Sequence, residues 1–454
     1  MRGAGALTAR ALIVAAPQTG SGKTTVTLAL LRAFRRRGLR AASAKIGPDF
    51  IDPRFHEAAS GGSEGRPCVN LDGWAMRRTL LDGLFAELMR ADLVLIEGVM
   101  GLFDGALEPG VLGRGATADL AKHFGTPVLL VVNAAGLGAS AAALVHGFST
   151  FDPDIRLAGL VLNQVGSERH AAILTEALAP LGLPVFGLLP RRPDLARPSR
   201  HLGLVQAEEA DDLEAFLEGA ADAVEAHLDL DALLDAAAHR DAGRVAVAGR
   251  TENAWDVAVP PLGQRIAVAD DLAFRFAYPH VLRGWRAAGA ELLRFSPLAD
   301  EAPDEAAHAV YLPGGYPELH AGRLAANARF LDGLRRAAAR GACVYGECGG
   351  YMVLGETLVD AEGQGHRMAG LLATETSFAE RGLHLGYRHV TACDGSPWPG
   401  TRFRAHEFHY SKPLREADAP LFANSGGARF GARRDRVMGS YLHLIDRAAD
   451  GAGP

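Results

Sequence analysis

Through the first half of the chain, short apolar runs alternate with stretches of helical period. The runs at 12–16, 41–45, 93–97, 128–133, 160–163 and 185–188 are too short for helices and too continuous for half-exposed strands. They predict strands buried on both faces, with a helix between each pair, and so a largely parallel sheet. Residues 211–239 turn helical, Ala-rich and acidic, and 240–263 lose any period around Pro260-Pro261. A second alternation begins with the strand pattern at 265–269 and continues through 291–295, 309–312 and 342–345. The stretch from about 371 to 442 is richer in β-type and turn residues. This pattern predicts an α/β protein with a first domain over 1–240, a linker over 241–263 and a second domain over 264–454.

Two points in this pattern carry chemistry. Gly20-Ser21-Gly22-Lys23-Thr24-Thr25 lies between the first strand and a helix predicted over 26–35. Small residues there let backbone N–H groups close around phosphate oxygens, with Lys23 reaching the outer phosphates and Thr24 placed to ligate Mg²⁺. Pro17 stands where the first Gly of such loops is usual, so the loop is a variant. Asp49 just past the second strand and Glu97 at the end of the third lie where open α/β sheets bind ligands. Both are candidate Mg²⁺ ligands, because a nucleotide-bound Mg²⁺ takes one or two carboxylates besides phosphate oxygens. Asp104, in a glycine-flanked turn after Glu97, is a candidate for facing the transferred group.

The second point is Gly346-Glu347-Cys348-Gly349-Gly350, after the apolar run 342–345 and before the helical pattern of Tyr351-Met352-Val353-Leu354. A strand–turn–helix of this kind thrusts a nucleophile outward, with the helix N–H groups placed to hold an oxyanion. A thiol needs a base, and His443, after a predicted strand, is one of several histidines in this domain. Leu312-Pro313-Gly314-Gly315-Tyr316-Pro317 is a second glycine loop whose amides can complete an oxyanion hole. Cys343, inside the apolar run, reads as a core thiol.

Composition narrows the picture. The chain has 454 residues, 48% of them hydrophobic, 22% charged, and a formal charge of −6. That balance describes a soluble globular protein and disfavours nucleic-acid or anionic-membrane partners. No apolar run approaches the ~18 residues that span a bilayer. The start of the chain runs into its first strand with no secretory pattern, and the four cysteines show no metal or disulfide spacing, so a cytoplasmic location is expected.

The ordered set Lys45-Ile46-Gly47-Pro48-Asp49-Phe50-Ile51-Asp52, Glu97-Gly98-Val99-Met100-Gly101-Leu102-Phe103-Asp104-Gly105, Arg200-His201-Leu202-Gly203-Leu204, Leu312-Pro313-Gly314-Gly315-Tyr316-Pro317-Glu318 and His406-Glu407-Phe408-His409-Tyr410-Ser411 resembles the cobyrinate / hydrogenobyrinate a,c-diamide synthases of cobalamin biosynthesis over nearly the whole chain. The resemblance implies an N-terminal ATP-dependent synthetase domain, similar to dethiobiotin synthetase, and a C-terminal class I-type glutaminase. It implies ATP and Mg²⁺ as cofactors, and a corrinoid and L-glutamine as substrates. It implies Cys348 as nucleophile, His443 as its base and Asp104 near an acyl phosphate. Ammonia freed from glutamine then reaches that intermediate by an enclosed path and yields the a and c amides. Class I glutaminases usually carry a Glu two residues after the His; here Ile445 stands there and Asp446 follows, so the group orienting His443 is open. The Ala/Arg-rich composition leans toward the metal-free ring, and a homodimer is kept open. The alternatives are nickel-sirohydrochlorin a,c-diamide synthases, which substrate turnover separates, a P-loop ATPase binding switch, which glutamine hydrolysis separates, and a thiol hydrolase with a structural nucleotide domain, which yields no amide product.

Overall fold

The computed structural model describes residues 10–61, 67–195, 212–237 and 257–448. The motif at 200–204 and residues 241–256 of the expected linker lie outside the described residues. The chain forms two compact units, the first taking residues 1–74 and 81–250, the second 75–80 and 251–454.

In the first unit the elements are β1 (Arg10–Ala15), α1 (Lys23–Arg36), β2 (Ala41–Ile46), α2 (Asp52–Ser60), β3 (Val69–Leu71), α3 (Arg78–Leu88), β4 (Leu93–Glu97), α4 (Thr117–Phe124), β5 (Val128–Asn133), α5 (Ser140–Thr150), β6 (Leu157–Val165), α6 (Glu168–Leu178), β7 (Val185–Pro190), α7 (Leu213–His227) and α8 (Leu230–Ala236). The strands form a seven-stranded sheet in the order β3-β2-β4-β1-β5-β6-β7. Every neighbouring pair is parallel. Helices covering both faces explain why these strands are apolar throughout rather than alternating. Register decides which residues meet at the carboxyl edge. Val14 pairs with Glu97, and Lys45 pairs with Glu97 from the other side. The phosphate loop, Lys45 and Glu97 therefore emerge together.

The acidic segment after residue 211 has a specific partner. It forms α7, which packs on α1, and Glu214 and Glu218 reach the buried Arg32 at 2.8 and 2.5 Å. β3 escaped the sequence reading because three residues are too few to show a period.

The second unit contains β8 (Arg265–Ala269), α9 (Pro279–Ala287), β9 (Glu291–Phe295), β10 (Ala309–Leu312), α10 (Ala321–Ala326), α11 (Ala328–Ala339), β11 (Cys343–Glu347), α12 (Gly349–Leu354), β12 (Thr357–Val359), β13 (Gly365–Arg367), β14 (Thr374–Ser377), β15 (His384–Ala392), β16 (Arg402–His409), β17 (Lys412–Glu416), β18 (Phe422–Ala423), β19 (Arg429–Phe430), β20 (Ala432–Arg434), β21 (Val437–Ser440) and β22 (Leu442–Arg447). Its main sheet runs β20-β21-β11-β10-β8-β9, parallel except at the β20 edge. A five-stranded antiparallel sheet, β19-β18-β15-β16-β22, brings the His406–His409 strand beside His443. Trp285 anchors this unit: it is 1% exposed and donates its indole N–H to the Val259 carbonyl at 2.9 Å. Truncating such a residue costs about 3–5 kcal/mol.

Candidate active sites

The first site forms around α1. Gly22 caps that helix at φ 95°, with no side-chain cap and no acidic residue in the first turn. Its leading N–H groups have no capping side chain and no acidic residue of their own turn, which suits an anion. Gly22 is obligatory on a second count: a Cβ there would sit 2.2 Å from the Asn163 Nδ2 atom. Asn163 also donates to the Ser21 carbonyl at 3.0 Å, so the end of β6 clamps the loop. Lys23 donates to the Met100 carbonyl at 2.6 Å. Burial, then the neighbouring Lys45, lowers its pKa.

Glu97 is the hub. Its Oε1 accepts from Thr24 at 2.5 Å and from Lys45 at 2.9 Å, and its Oε2 lies 2.7 Å from His56 Nε2. Lys45 also holds Asp52 at 2.8 Å. Burial penalises the Glu97 charge, yet Lys45 and His56 outweigh it and keep the carboxyl below its usual range. His56 is raised to about 10: burial opposes this, and Cys68 and Glu97 overcome it. Asp49 is pushed up to about 7 by burial and by Asp52. Its carboxylate accepts the Ile51 amide at 2.7 Å. Asp104 accepts the Gly101 amide at 2.8 Å, and a Cβ on Gly101 would lie 2.6 Å from both Asp104 Oδ2 and the Pro17 carbonyl. The Asp104 loop thus packs directly on the phosphate loop.

The Thr24 hydroxyl and Glu97 carboxylate converge as a hard-oxygen pair beside the uncapped helix, which fits Mg²⁺ as a partner of bound phosphates. Asp49 shares the neighbourhood through Asp52 and Lys45. Beside the loop is a cavity of about 430 Å³, bounded by Gly20 and Thr25, by Asn133 and Asn163 at strand ends, and by Pro190 and Val224. That volume falls in the range of small-molecule pockets.

The second site forms around Cys348. Here β11 ends and α12 begins, and Cys348 takes φ 46° and ψ −106°, a strained backbone for any residue but Gly. Its amide donates to the Ser440 carbonyl of β21 at 2.8 Å, which fixes the turn. Gly350 cannot be larger, since a Cβ would lie 2.0 Å from the Leu312 carbonyl oxygen. The Leu312–Tyr316 glycine loop lies against the thiol. A Cβ on Gly314 would sit 3.2 Å from Cys348 Cβ, 3.2 Å from His443 Nε2 and 2.4 Å from His443 Cε1. The structure thereby brings Cys348, His443 and Gly314 to one point, with Nε2 the ring nitrogen on the Gly314 side.

Burial dominates the electrostatics here. It pushes the Cys348 thiol far up, with Glu318 adding to it. It pushes His443 down to about 3, helped by His406 and His409. The resting pair is a thiol and a neutral imidazole. Cys343 is buried in β11, its thiol raised to about 11 by burial, in keeping with a core role. Asp446 is engaged by Arg77. Its carboxylate accepts the Arg77 amide at 2.7 Å and the Arg77 guanidinium at 2.8 Å.

Two family descriptions match the chain: a CobQ/CobB/MinD/ParA nucleotide binding domain over residues 12–205 and a CobB/CobQ-like glutamine amidotransferase domain over 265–450. Among curated relatives, the hydrogenobyrinate a,c-diamide synthase of Brucella anthropi is 53% identical, covering 96% of this chain and 98% of its own. That of Rhodobacter capsulatus is 54% identical over the same shares, and that of Rhizobium meliloti is 52% identical over 96% and 99%. The chain belongs to the hydrogenobyrinate a,c-diamide synthase family.

The first site lies within the residues matched by the nucleotide binding domain and the second within those matched by the amidotransferase domain. No helix among the described residues is long and apolar enough to cross a membrane. Several site residues escaped the sequence reading. Asn133 and Asn163 were visible only as strand-final polar residues, and their roles depend on sheet order. His384, Glu407 and His409 bring ligand-type atoms within 4.8 Å of one another. The His384 and His409 rings stack at 6°, however, so their in-plane lone pairs do not converge, and Arg388 holds Glu407 at 2.7 Å. That group is an ion-paired stack rather than a metal centre.

Proposed function

We propose that this protein uses ATP and glutamine to amidate the a and c acetate carboxylates of hydrogenobyrinate. One observation carries the reading: a single chain presents an uncapped, lysine-bearing helix start in one unit and a strained, buried thiol beside a neutral imidazole in the other. Neither site alone explains both. The names of the relatives supply the substrate class.

A carboxylate resists ammonia because its leaving group is oxide. Transfer of the γ-phosphoryl group from ATP to a carboxylate oxygen gives an acyl phosphate and ADP, and phosphate then becomes the leaving group. Lys23 and the amides of α1 hold the transferred charge, with Asp104 on the loop beside them. Thr24, Glu97 and Asp49 are the residues to hold Mg²⁺, which supplies neutralisation of the phosphate oxygens when bound. In the second unit the Cys348 proton passes to His443 Nε2 as sulfur attacks the glutamine carboxamide. The amides near Gly314 and Gly349 receive the oxyanion. The proton returns to the departing nitrogen, ammonia leaves, and water splits the thioester to glutamate. Ammonia displaces phosphate from the acyl phosphate, and a second round amidates the other acetate.

The test is incubation with ATP, Mg²⁺ and glutamine against hydrogenobyrinate and cobyrinate separately, with products weighed by mass spectrometry. ATP-dependent diamide from the metal-free ring is expected. Glutamine hydrolysis with no amide from either ring would sink the proposal.

A further inference from the structure

His443 lacks the glutamate two positions on that class I glutaminases usually use, and Asp446 belongs to Arg77. The fold supplies a carboxylate from elsewhere. Glu347, the last residue of β11 and the immediate neighbour of the nucleophile, is 5% exposed. Its Oε2 lies 3.8 Å from His443 Nδ1, while Nε2 is the ring nitrogen on the Gly314 side. It accepts the Tyr311 hydroxyl at 2.8 Å, the Tyr345 hydroxyl at 2.9 Å and the Leu444 amide at 3.2 Å. The last of these ties Glu347 to the residue next to His443 in β22.

We infer that Glu347 is the positioning residue for His443, completing a Cys348–His443–Glu347 triad in which nucleophile and orienting acid are consecutive in the chain. This rests on Cys348 and His443 acting as the glutaminase pair.

The chemistry asks for such a group. When the thiol proton moves to Nε2, the imidazole becomes a cation in a site whose other near histidines, His406 and His409, disfavour it. A carboxylate on the Nδ1 side fixes the tautomer that leaves Nε2 bare and offsets the new charge. The 3.8 Å gap needs roughly 0.8 Å of closure to become a hydrogen bond, and catalytic hydrogen bonds often tighten only when substrate is bound.

The surroundings also make Glu347 sensitive to pH. Burial pushes its carboxyl up to about 7, while Tyr311 on β10, the Leu444 amide on β22 and Tyr345 on β11 pull it down. Both tyrosines are driven well above their ordinary range by burial and by Glu347, so they stay donors. Tyr278 lies beyond Tyr311 and Cys343 beyond Tyr345, and Cys348 and His443 are further titratable neighbours. Since His443 is neutral from about pH 4 upward, an acid limb near 7 in glutamine turnover reports Glu347 and not the base. The working form is the carboxylate, so activity rises as pH rises through 7.

The test compares full-length wild type, Glu347→Gln, Tyr345→Phe and Cys348→Ser, each with glutamine and with ammonium chloride as nitrogen source. Glu347→Gln is expected to lower kcat for glutamine by ~10²–10⁴-fold, the scale seen for orienting acids in hydrolase triads. Its KM for glutamine should stay within about threefold, its ammonia-dependent amidation should match wild type, and the acid limb should vanish. Tyr345→Phe removes a donor to the carboxylate and should move the limb to higher pH. Glu347→Gln with wild-type kcat, or with reduced kcat and the limb unchanged, overturns the inference. Should Glu347→Gln lose ammonia-dependent activity as well, Tyr345→Phe decides, and an unmoved limb there overturns it. Normal glutamine turnover in Cys348→Ser would instead sink the parent reading.

Discussion

The two sites handle burial in opposite ways. Around Glu97 the groups are already ionised: Lys45 and His56 hold the buried Glu97 carboxylate at 2.9 and 2.7 Å. Around Cys348 the pair is neutral at rest, thiol high and imidazole low, and charge appears only when a proton moves. The difference follows the substrates. A triphosphate arrives charged and needs compensating charge in place beforehand, whereas a carboxamide arrives neutral and needs a nucleophile made on demand. Burial is costly for a lone ion and cheap for a neutral pair, so one chain uses it for two purposes.

The largest effect that tests this contrast is Cys348→Ser. Glutamine-dependent amidation should fall by ~10⁴-fold or more while ammonia-dependent amidation persists, read by paired assays. Lys23→Ala should do the reverse. Amidation should drop ~10²–10³-fold with either nitrogen source, and glutamate release in the absence of the ring substrate should be unaffected. Equal losses from both variants under both conditions would erase the distinction between the sites.

Next comes Gly314→Ala, whose Cβ is placed 2.4 Å from the His443 ring. Glutamine turnover should fall about 10²-fold by displacing the base, with ATP-dependent use of ammonia retained. Glu97→Gln sharpens the comparison through stability. It leaves Lys45 and His56 facing an uncharged amide, and breaking a buried pair costs about 3–5 kcal/mol, measurable as a fall in the unfolding midpoint. The counterpart Cys348→Ser should shift that midpoint little. The smallest effect is ionic: raising salt should weaken ATP binding severalfold while leaving the KM for glutamine nearly unchanged, because only one ligand is held by net charge.

The carboxyl edge of the parallel sheet was legible from sequence because strand, loop and helix follow one another there. β4, β5, β8, β9 and β10 fall where the apolar runs put them. Thr24 and Glu97 also meet at the start of α1 and the end of β4, the edge where open sheets gather polar side chains. The triad partner was not legible. Period-two reasoning places Glu347 on β11 but cannot say that two tyrosines from adjacent strands and the Leu444 amide will turn its carboxylate toward His443. The sequence leaves the orienting group open, with Asp446 one position past the usual acid, and the Arg77 contacts show that Asp446 is engaged elsewhere. Arg77 precedes it by 369 positions, a pairing no local pattern reveals.

That contact also bears on how the halves came to share a polypeptide. Residues 75–80 cluster with the C-terminal unit although the chain on either side of them belongs to the N-terminal one. The strand of His443 therefore borrows a splint encoded far upstream, and the fully buried Asp446 relies on it. Severing the gene at residue 257 would yield a downstream fragment deprived of the Arg77 donors. Such a fragment should express poorly and recover when the upstream fragment is supplied in trans.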